Sequence, residues 1–180
     1  KINLGVIMSA KIIIPQTLQV GAGASSEIGN ILKSMGLHRP LIVTDKIMVQ
    51  LGYISTIREC LNEVGISSEV FDDTVPEPTV LSIQAGVDKV RSGNYDAIIA
   101  LGGGSPIDSA KAIAILGTYG GEMRDYKFPR IVDEPGLPIF AIPTTAGTGS
   151  EVTKFTIITD ETTDEKMLCL GTGFMPTAAL

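Results

Sequence analysis

Short runs of consecutive apolar residues alternate along the chain with longer stretches whose apolar positions recur every three or four residues. At the start, "KIIIP" and "TLQVG" flank Pro15–Gln16 and predict a hairpin or a pair of edge strands. "SSEIGNILKSMG" places Ile28, Ile31, Leu32 and Met35 at helical spacing, with Gly36 where a helix would stop. "PLIVTD" (40–45) is a short buried strand, "ISTIRECLNEVG" (54–65) an amphipathic helix and "SSEVFDD" a further strand. In "VPEPT" (75–79) both prolines hold their neighbours out of the helical region, so a rigid turn is expected. "TVLSIQAGVDKVRSG" returns to helical spacing, and "YDAIIAL" (95–101) is too continuously apolar for a half-exposed strand. A polar, glycine-rich connection (117–137) leads to another buried strand, "LPIFAIPTT". Finally "EVTKFTIITD" and "EKMLCLG" bracket the charged "ETTDE" as a β-hairpin. No repeat or low-complexity segment interrupts the series.

Strands apolar on both faces, alternating with helices about every ~25 residues, predict a mostly parallel sheet covered by helices on both faces. The expected class is therefore α/β, doubly wound and Rossmann-like, with a short β-hairpin near the C-terminal end.

"ALGGGSPIDSAKAIAI" (100–115) sets three consecutive glycines between an apolar strand and a helix. Ligands in open α/β sheets bind beyond the carboxyl ends of the strands, where Gly102, Gly103 and Gly104 fall. Ser105 suits the N-cap of the following helix, Pro106 suits its first position, N1, and Asp108 completes a Ser-x-x-Asp capping box. A helix N-terminus offers free N–H groups and about half a positive charge, so a pyrophosphate is one reading; a tight turn is the other. The string is neither Gly-x-Gly-x-x-Gly, since residue 107 is Ile, nor a P-loop; "GAGASSEIG" (21–29) fails as well, with Ser26 in the third-glycine place.

"PTTAGTGSEVT" (143–153) also follows a buried strand and is rich in hydroxyls and glycine. It reads either as a wrap around a polar ligand or as a loop that caps its own backbone. Two such loops after two sheet strands favour one shared site. Asp45, ending "LIVT", is placed to accept hydrogen bonds from ribose hydroxyls and to repel a 2′-phosphate, or is an ordinary strand-end acid. The one histidine, His38, stands in the loop "GLHRP" with no partner at metal-ligand spacing, so neither a histidine general base nor a histidine metal site can be assembled.

Composition narrows the partners. With 14 basic and 20 acidic residues the formal net charge is −6, which argues against nucleic acid as the default partner. No apolar stretch approaches the length of a membrane span. Cys60 and Cys169 lack zinc or CxxC spacing, as expected of ordinary thiols in a reduced, cytoplasmic protein. "KINLGVIMSAK" has no cleavage site and is not read as a signal peptide, with Met8 a candidate natural start. The end, "FMPTAAL", has neither polar tail nor helix cap and predicts a piece of something longer.

"LIVTDKIMVQLG", "VPEPT", "ALGGGSPIDSAKAIA", "IPTTAGTGSEVTKFTIITD" and "EKMLC" together resemble the iron-containing (group III) alcohol dehydrogenases, in order and over nearly the whole chain. The resemblance implies that 1–180 is an α/β dinucleotide-binding domain, like the N-terminal domain of dehydroquinate synthases. It also implies a separate helical domain, absent here, that holds Fe2+ or Zn2+ through one aspartate and three histidines. It gives Asp45 to the adenosine ribose, with preference for NAD. Gly102, Gly103, Gly104 and Ser105 fall to the pyrophosphate, and Asp108 lies toward the nicotinamide. Thr144 and Thr145 line the adenine and phosphate side, with Pro76 and Thr79 along the adenosine. Thr148, Ser150 and Val152 approach the nicotinamide end, and Lys166 bonds the nicotinamide ribose. The implied partners are a small alcohol or aldehyde and further copies of the chain in a homodimer or larger homo-oligomer. Rival readings are a dehydroquinate synthase-like or glycerol dehydrogenase-like enzyme, or a cofactor-binding module inactive by itself.

Overall fold

The computed structural model describes residues 11–180, so the readings made on the first ten residues lie outside it. Eight strands and five α-helices follow in the order β1 (Thr17–Leu18), α1 (Ile28–Ser34), β2 (Pro40–Val43), α2 (Lys46–Gln50), α3 (Tyr53–Glu63), β3 (Glu69–Phe71), α4 (Val80–Ser92), β4 (Ala97–Gly102), α5 (Gly104–Tyr119), β5 (Ile139–Pro143), β6 (Phe155–Asp160), β7 (Glu165–Leu170) and β8 (Ala178–Ala179). Six strands form one sheet in the order β1-β8-β5-β4-β2-β3, and every neighbouring pair is parallel.

Period-two alternation explains the three layers. Leu41 and Val43, Ile98 and Ala100, and Ile139 and Ala141 face α4 and α5, while Ile42, Ile99, Leu101, Phe140 and Ile142 pack on α1 and α3. Both faces of β2, β4 and β5 are thus dry, which is why those strands read as unbroken apolar runs. α5 is buried along one side after another, from Pro106 through Leu116, as its all-round apolar sequence requires. The predicted hairpin is present: β6 and β7 pair antiparallel, with Ile157 opposite Leu168 and Thr159 opposite Lys166.

Three expectations need correction. "KIIIP" is not a strand, and β1 pairs in parallel with β8 rather than in a hairpin. Thr17 donates its N–H to the Thr177 carbonyl at 3.2 Å and Gln19 to that of Ala179 at 2.9 Å, so the partner comes from the far end of the chain. The polar connection read over 117–137 is partly helix and partly core. α5 runs on to Tyr119, and Met123, Tyr126 and Val132 are buried against it. Ser105 is not an N-cap, nor is Pro106 the first helical residue, because α5 begins at Gly104.

Register sets the functional edge. Val43 pairs with Ala100 and Gly102 with Pro143, so β2, β4 and β5 end side by side and their following loops gather above that edge.

Candidate functional site

The strand ends are bolted together by threonines. The buried Thr44 hydroxyl donates to the Leu101 carbonyl at 2.8 Å, and the Thr74 hydroxyl donates to the Thr44 carbonyl at 2.7 Å. Thr144 donates its N–H to the Gly102 carbonyl at 3.0 Å, which fixes the loop after β5 against the loop after β4. Buried backbone oxygens are satisfied in this way while the loops stay open above.

Each glycine of the triplet is required for its own reason. Gly102 has φ +143°, and a Cβ there would stand 2.7 Å from Pro106 Cγ; backbone conformation and packing exclude a side chain whether or not a ligand is present. A Cβ on Gly103 would lie 3.2 Å from Thr145 Oγ1, and one on Gly104 would lie 3.1 Å from Thr148 Cγ2. Those two glycines keep open the gap between the β4 and β5 loops. Helix α5 begins at Gly104, with Gly103 as N-cap and no side chain capping it. The capping box expected of Ser105 and Asp108 is absent because the hairpin claims the aspartate: Ile157 donates its N–H to Asp108 Oδ2 at 3.3 Å. An uncapped N-terminus of a 16-residue helix leaves N–H groups and dipole available to an outside acceptor.

Two cavities meet at this point. The larger, of 540 Å3, is lined by Asp45, Pro76, Thr144 and Thr145 together with Gly103, Gly104 and Ser105. The smaller, of 240 Å3, is lined by Asp108, Thr148, Ser150 and Lys166, again with Gly104 and Ser105. Gly104 and Ser105 are therefore the shared sill. Gly102, Thr79 and Val152 line neither cavity. The Thr79 hydroxyl is engaged in the capping box of α4, accepting from Ser82 N–H at 3.1 Å, and Val152 sits in the 3-10 turn Ser150–Val152.

Asp45 begins α2 as its N-cap: one carboxylate oxygen accepts from Met48 N–H at 2.9 Å, and the other lies 3.6 Å from where a Gly102 Cβ would stand. Asp72 and Asp73 line the same cleft, unforeseen from the sequence, with Lys46 bridged to Asp73 at 2.8 Å. Three carboxylates against one lysine make this end unfavourable to a further anion. Lys166, on the rim of the smaller cavity, bonds Glu77 at 3.2 Å. Glu77 sits between the two prolines of the predicted turn at φ +52°, out of the right-handed helical region as expected but not extended.

The smaller cavity backs onto a buried charged group. Asp108 Oδ1 is buried without a hydrogen-bond partner, and burial raises the carboxyl above its ordinary range against the opposing pull of the Lys111 charge. Lys111 is 0% exposed. It donates to the Thr153 carbonyl at 2.8 Å, the Thr153 hydroxyl at 3.3 Å and the Phe155 carbonyl at 2.7 Å. Burial pushes its ammonium down to about 8, opposed by the charges of Asp108 and Glu151.

A family model described as iron-containing alcohol dehydrogenase matches residues 15–180. The chain belongs to that family. Among similar proteins, the NAD-dependent methanol dehydrogenase of Bacillus methanolicus is 37% identical over 167 residues, 93% of this chain and 44% of that protein. The lactaldehyde reductase of Escherichia coli (strain K12) is 34% identical over 174 residues, 96% of this chain and 46% of that protein. The solved structure of sulfoacetaldehyde reductase from Bifidobacterium kashiwanohense in complex with NAD+ superposes with TM-score 0.88 at 34% identity, covering 96% of this chain and 46% of that one. The chain thus spans less than half the length of these relatives. The stretches that carry the resemblance to this family supply the sill and most of the lining of both cavities. They do not provide a metal centre here: among the described residues no group of three or more His, Cys, Asp or Glu side chains converges to hold a metal ion. Nor is any helix among them long and apolar enough to cross a membrane.

Proposed function

We propose that this chain is the NAD-binding domain of a metal-dependent alcohol dehydrogenase that interconverts a small alcohol and its aldehyde or ketone. The observation that carries the reading is the pair of unequal cavities joined at the uncapped start of α5. An NAD molecule has the same plan, two nucleosides joined by a pyrophosphate. The orphaned Asp108 oxygen and the gap held open by Gly103 and Gly104 fit such a ligand.

In this proposal Asp45 accepts hydrogen bonds from the adenosine ribose in the larger cavity, beside Pro76, Thr144 and Thr145. The N–H groups of Gly104 and Ser105 take the pyrophosphate, with Gly102 and Gly103 shaping the turn beneath it. Asp108, Thr148 and Ser150 orient the nicotinamide end, and Lys166 bonds its ribose. Thr79 and Val152 support the walls without facing the ligand, Thr79 by starting α4. When bound, the nicotinamide supplies or accepts the hydride; this domain fixes where its reactive carbon points. The metal, Fe2+ or Zn2+, belongs in the proposal to a helical domain outside these 180 residues, and so does most of the pocket for the alcohol. Homodimeric or larger assembly and a cytoplasmic location complete the reading.

Titration of the chain with NADH, followed by nicotinamide fluorescence, tests the binding half. Saturable one-to-one binding displaced by NAD+ is expected; no binding by the folded chain would contradict it. Alcohol-dependent NADH formation by the chain joined to a helical metal domain tests the catalytic half.

A further inference from the structure

The larger cavity has two lips, and the sheet holds them in register. One is the start of α2 with Asp45, Lys46, Ile47 and Met48; the other, Asp72 to Pro76, follows β3. β2 and β3 pair in parallel with Val43 opposite Phe71. Just past the strands, Thr44 donates its N–H to the Phe71 carbonyl at 2.9 Å, and Thr74 donates its N–H to the Thr44 carbonyl at 3.3 Å. Thr44 and Thr74 are both buried, and the Thr74 hydroxyl makes its own bond to the same carbonyl. Lys46 and Asp73 are therefore brought face to face by bolted backbone, and their side chains meet at 2.8 Å.

The bridge is exposed, 67% at Lys46 and 60% at Asp73, so it contributes little to stability. Its consequence lies in the charge that the cavity presents. Among the described residues lining the cavity, Lys46 is the one cation. It follows Asp45 directly, on a flexible four-carbon stem that lets its ammonium sweep the space around that carboxylate. Free, it would give a phosphate on the ribose a counter-ion and offset the repulsion from Asp45. Asp73 takes it instead. The Asp73 hydrogen bond first, then the Asp73 charge, with Asp72 adding, raise the lysine above its ordinary value against some desolvation. Paired in this way, Lys46 leaves Asp45 and Asp72 on the cavity wall with no free cation among the described lining residues.

We infer that Asp73 is a positioning residue for cofactor choice: by holding Lys46 it withholds the cavity's one cation from a 2′-phosphate, and so excludes a phosphorylated dinucleotide. The inference rests on the dinucleotide reading with Asp45 at the ribose, and adds a second determinant to it. It requires an interaction between two residues: loss of the Asp73 charge must favour the phosphorylated cofactor chiefly while Lys46 is present. Simple repulsion by Asp73 would act equally with or without the lysine.

NADH and NADPH are the two probes, titrated by nicotinamide fluorescence at low ionic strength, where exposed charges are least screened. On the 180-residue chain, Asp73→Asn is expected to tighten NADPH about fivefold or more while NADH changes less than about twofold. In the Lys46→Met background the same substitution should tighten NADPH less than about twofold, and high salt should erase the gain. Unchanged NADPH affinity in Asp73→Asn overturns the inference. So do parallel gains for both probes, which mean a wider cleft, and equal gains with and without Lys46, which mean repulsion alone. Where NADPH binding to wild type is too weak to titrate, the series is read in the Asp45→Gly background; NADPH that stays unmeasurable there in Asp73→Asn overturns the inference as well. Wild type that binds no NADH overturns the dinucleotide reading, and the inference with it. NADPH binding improved by Asp45→Gly but not by Asp73→Asn leaves Asp45 in its role and overturns the inference alone.

Discussion

Replacing Lys111 by methionine should change the way stability depends on pH. In the folded chain burial lowers the lysine from 10.5 to about 8. Unfolded, it returns to its ordinary value. Below pH 8 the group is charged in both states and the full cost of burying that charge is present. Between 8 and 10.5 the unfolded chain binds the extra proton, so stability rises with pH as the cost is lost. At about 1.4 kcal/mol per pH unit, the shift corresponds to roughly 3 kcal/mol, of which about 2.5 kcal/mol is recovered between pH 7 and pH 10. Methionine does not titrate, so its variant lacks this rise. At pH 7 the variant escapes the desolvation cost but leaves the Thr153 and Phe155 carbonyls without their donor, about 1–3 kcal/mol each, and its net stability should lie close to wild type. Urea unfolding of both proteins at pH 7, 8, 9 and 10 measures the difference, in which other titrating groups cancel. Wild type should gain on the variant by about 2 to 3 kcal/mol across the series. Parallel profiles would show that the lysine keeps its proton throughout, and would refute the argument from burial.

Four further outcomes are expected. NADP should bind more weakly than NAD by about 1–3 kcal/mol, since a 2′-phosphate would face Asp45 and lose its ribose bonds; calorimetry on wild type and Asp45→Gly should show the gap narrowing, though Asp72 and Asp73 remain in the cleft. Gly104→Val should abolish NADH binding at modest cost to folding, because its Cβ would meet only the side chains of Thr148 and Ser150. Gly102→Ala should instead lower the melting temperature, because the clash is with Pro106 and the backbone is at positive φ. Glu77→Asn should stabilise the chain by about 0.5–1 kcal/mol in urea unfolding, as asparagine tolerates positive φ and the exposed pair with Lys166 contributes little.

Legibility in the sequence followed burial. β2, β4 and β5 are dry on both faces, so their apolar runs could be read directly, and the hairpin β6–β7 announced itself by alternation and a charged turn. β1 and β8 have two residues each, too few for a period, and their pairing joins opposite ends of the chain. Ser105 and Asp108 have capping-box spacing, but the tertiary bond from Ile157 to Asp108 outweighs that local pattern. Met123, Tyr126 and Val132 were lost in a polar stretch because the neighbours that bury them lie on α5 and the hairpin. The site residues came mainly from long motifs; Asp72 and Asp73 appeared only as the end of the strand "SSEVFDD". Lys111 did leave a trace. In "SPIDSAKAIAILG" alanine and isoleucine occupy every face of the helix, so the lysine has no solvent side to occupy.

The most direct test of a dinucleotide across two cavities is a crystal structure of the chain grown with NAD+. Pyrophosphate oxygens should lie within hydrogen-bond distance of the Gly104 and Ser105 N–H groups. The adenosine should occupy the cleft beside Asp45, and the nicotinamide the cavity between Asp108 and Ser150. A dinucleotide bound elsewhere, or lying in the reverse direction with its nicotinamide over Asp45, would contradict the account.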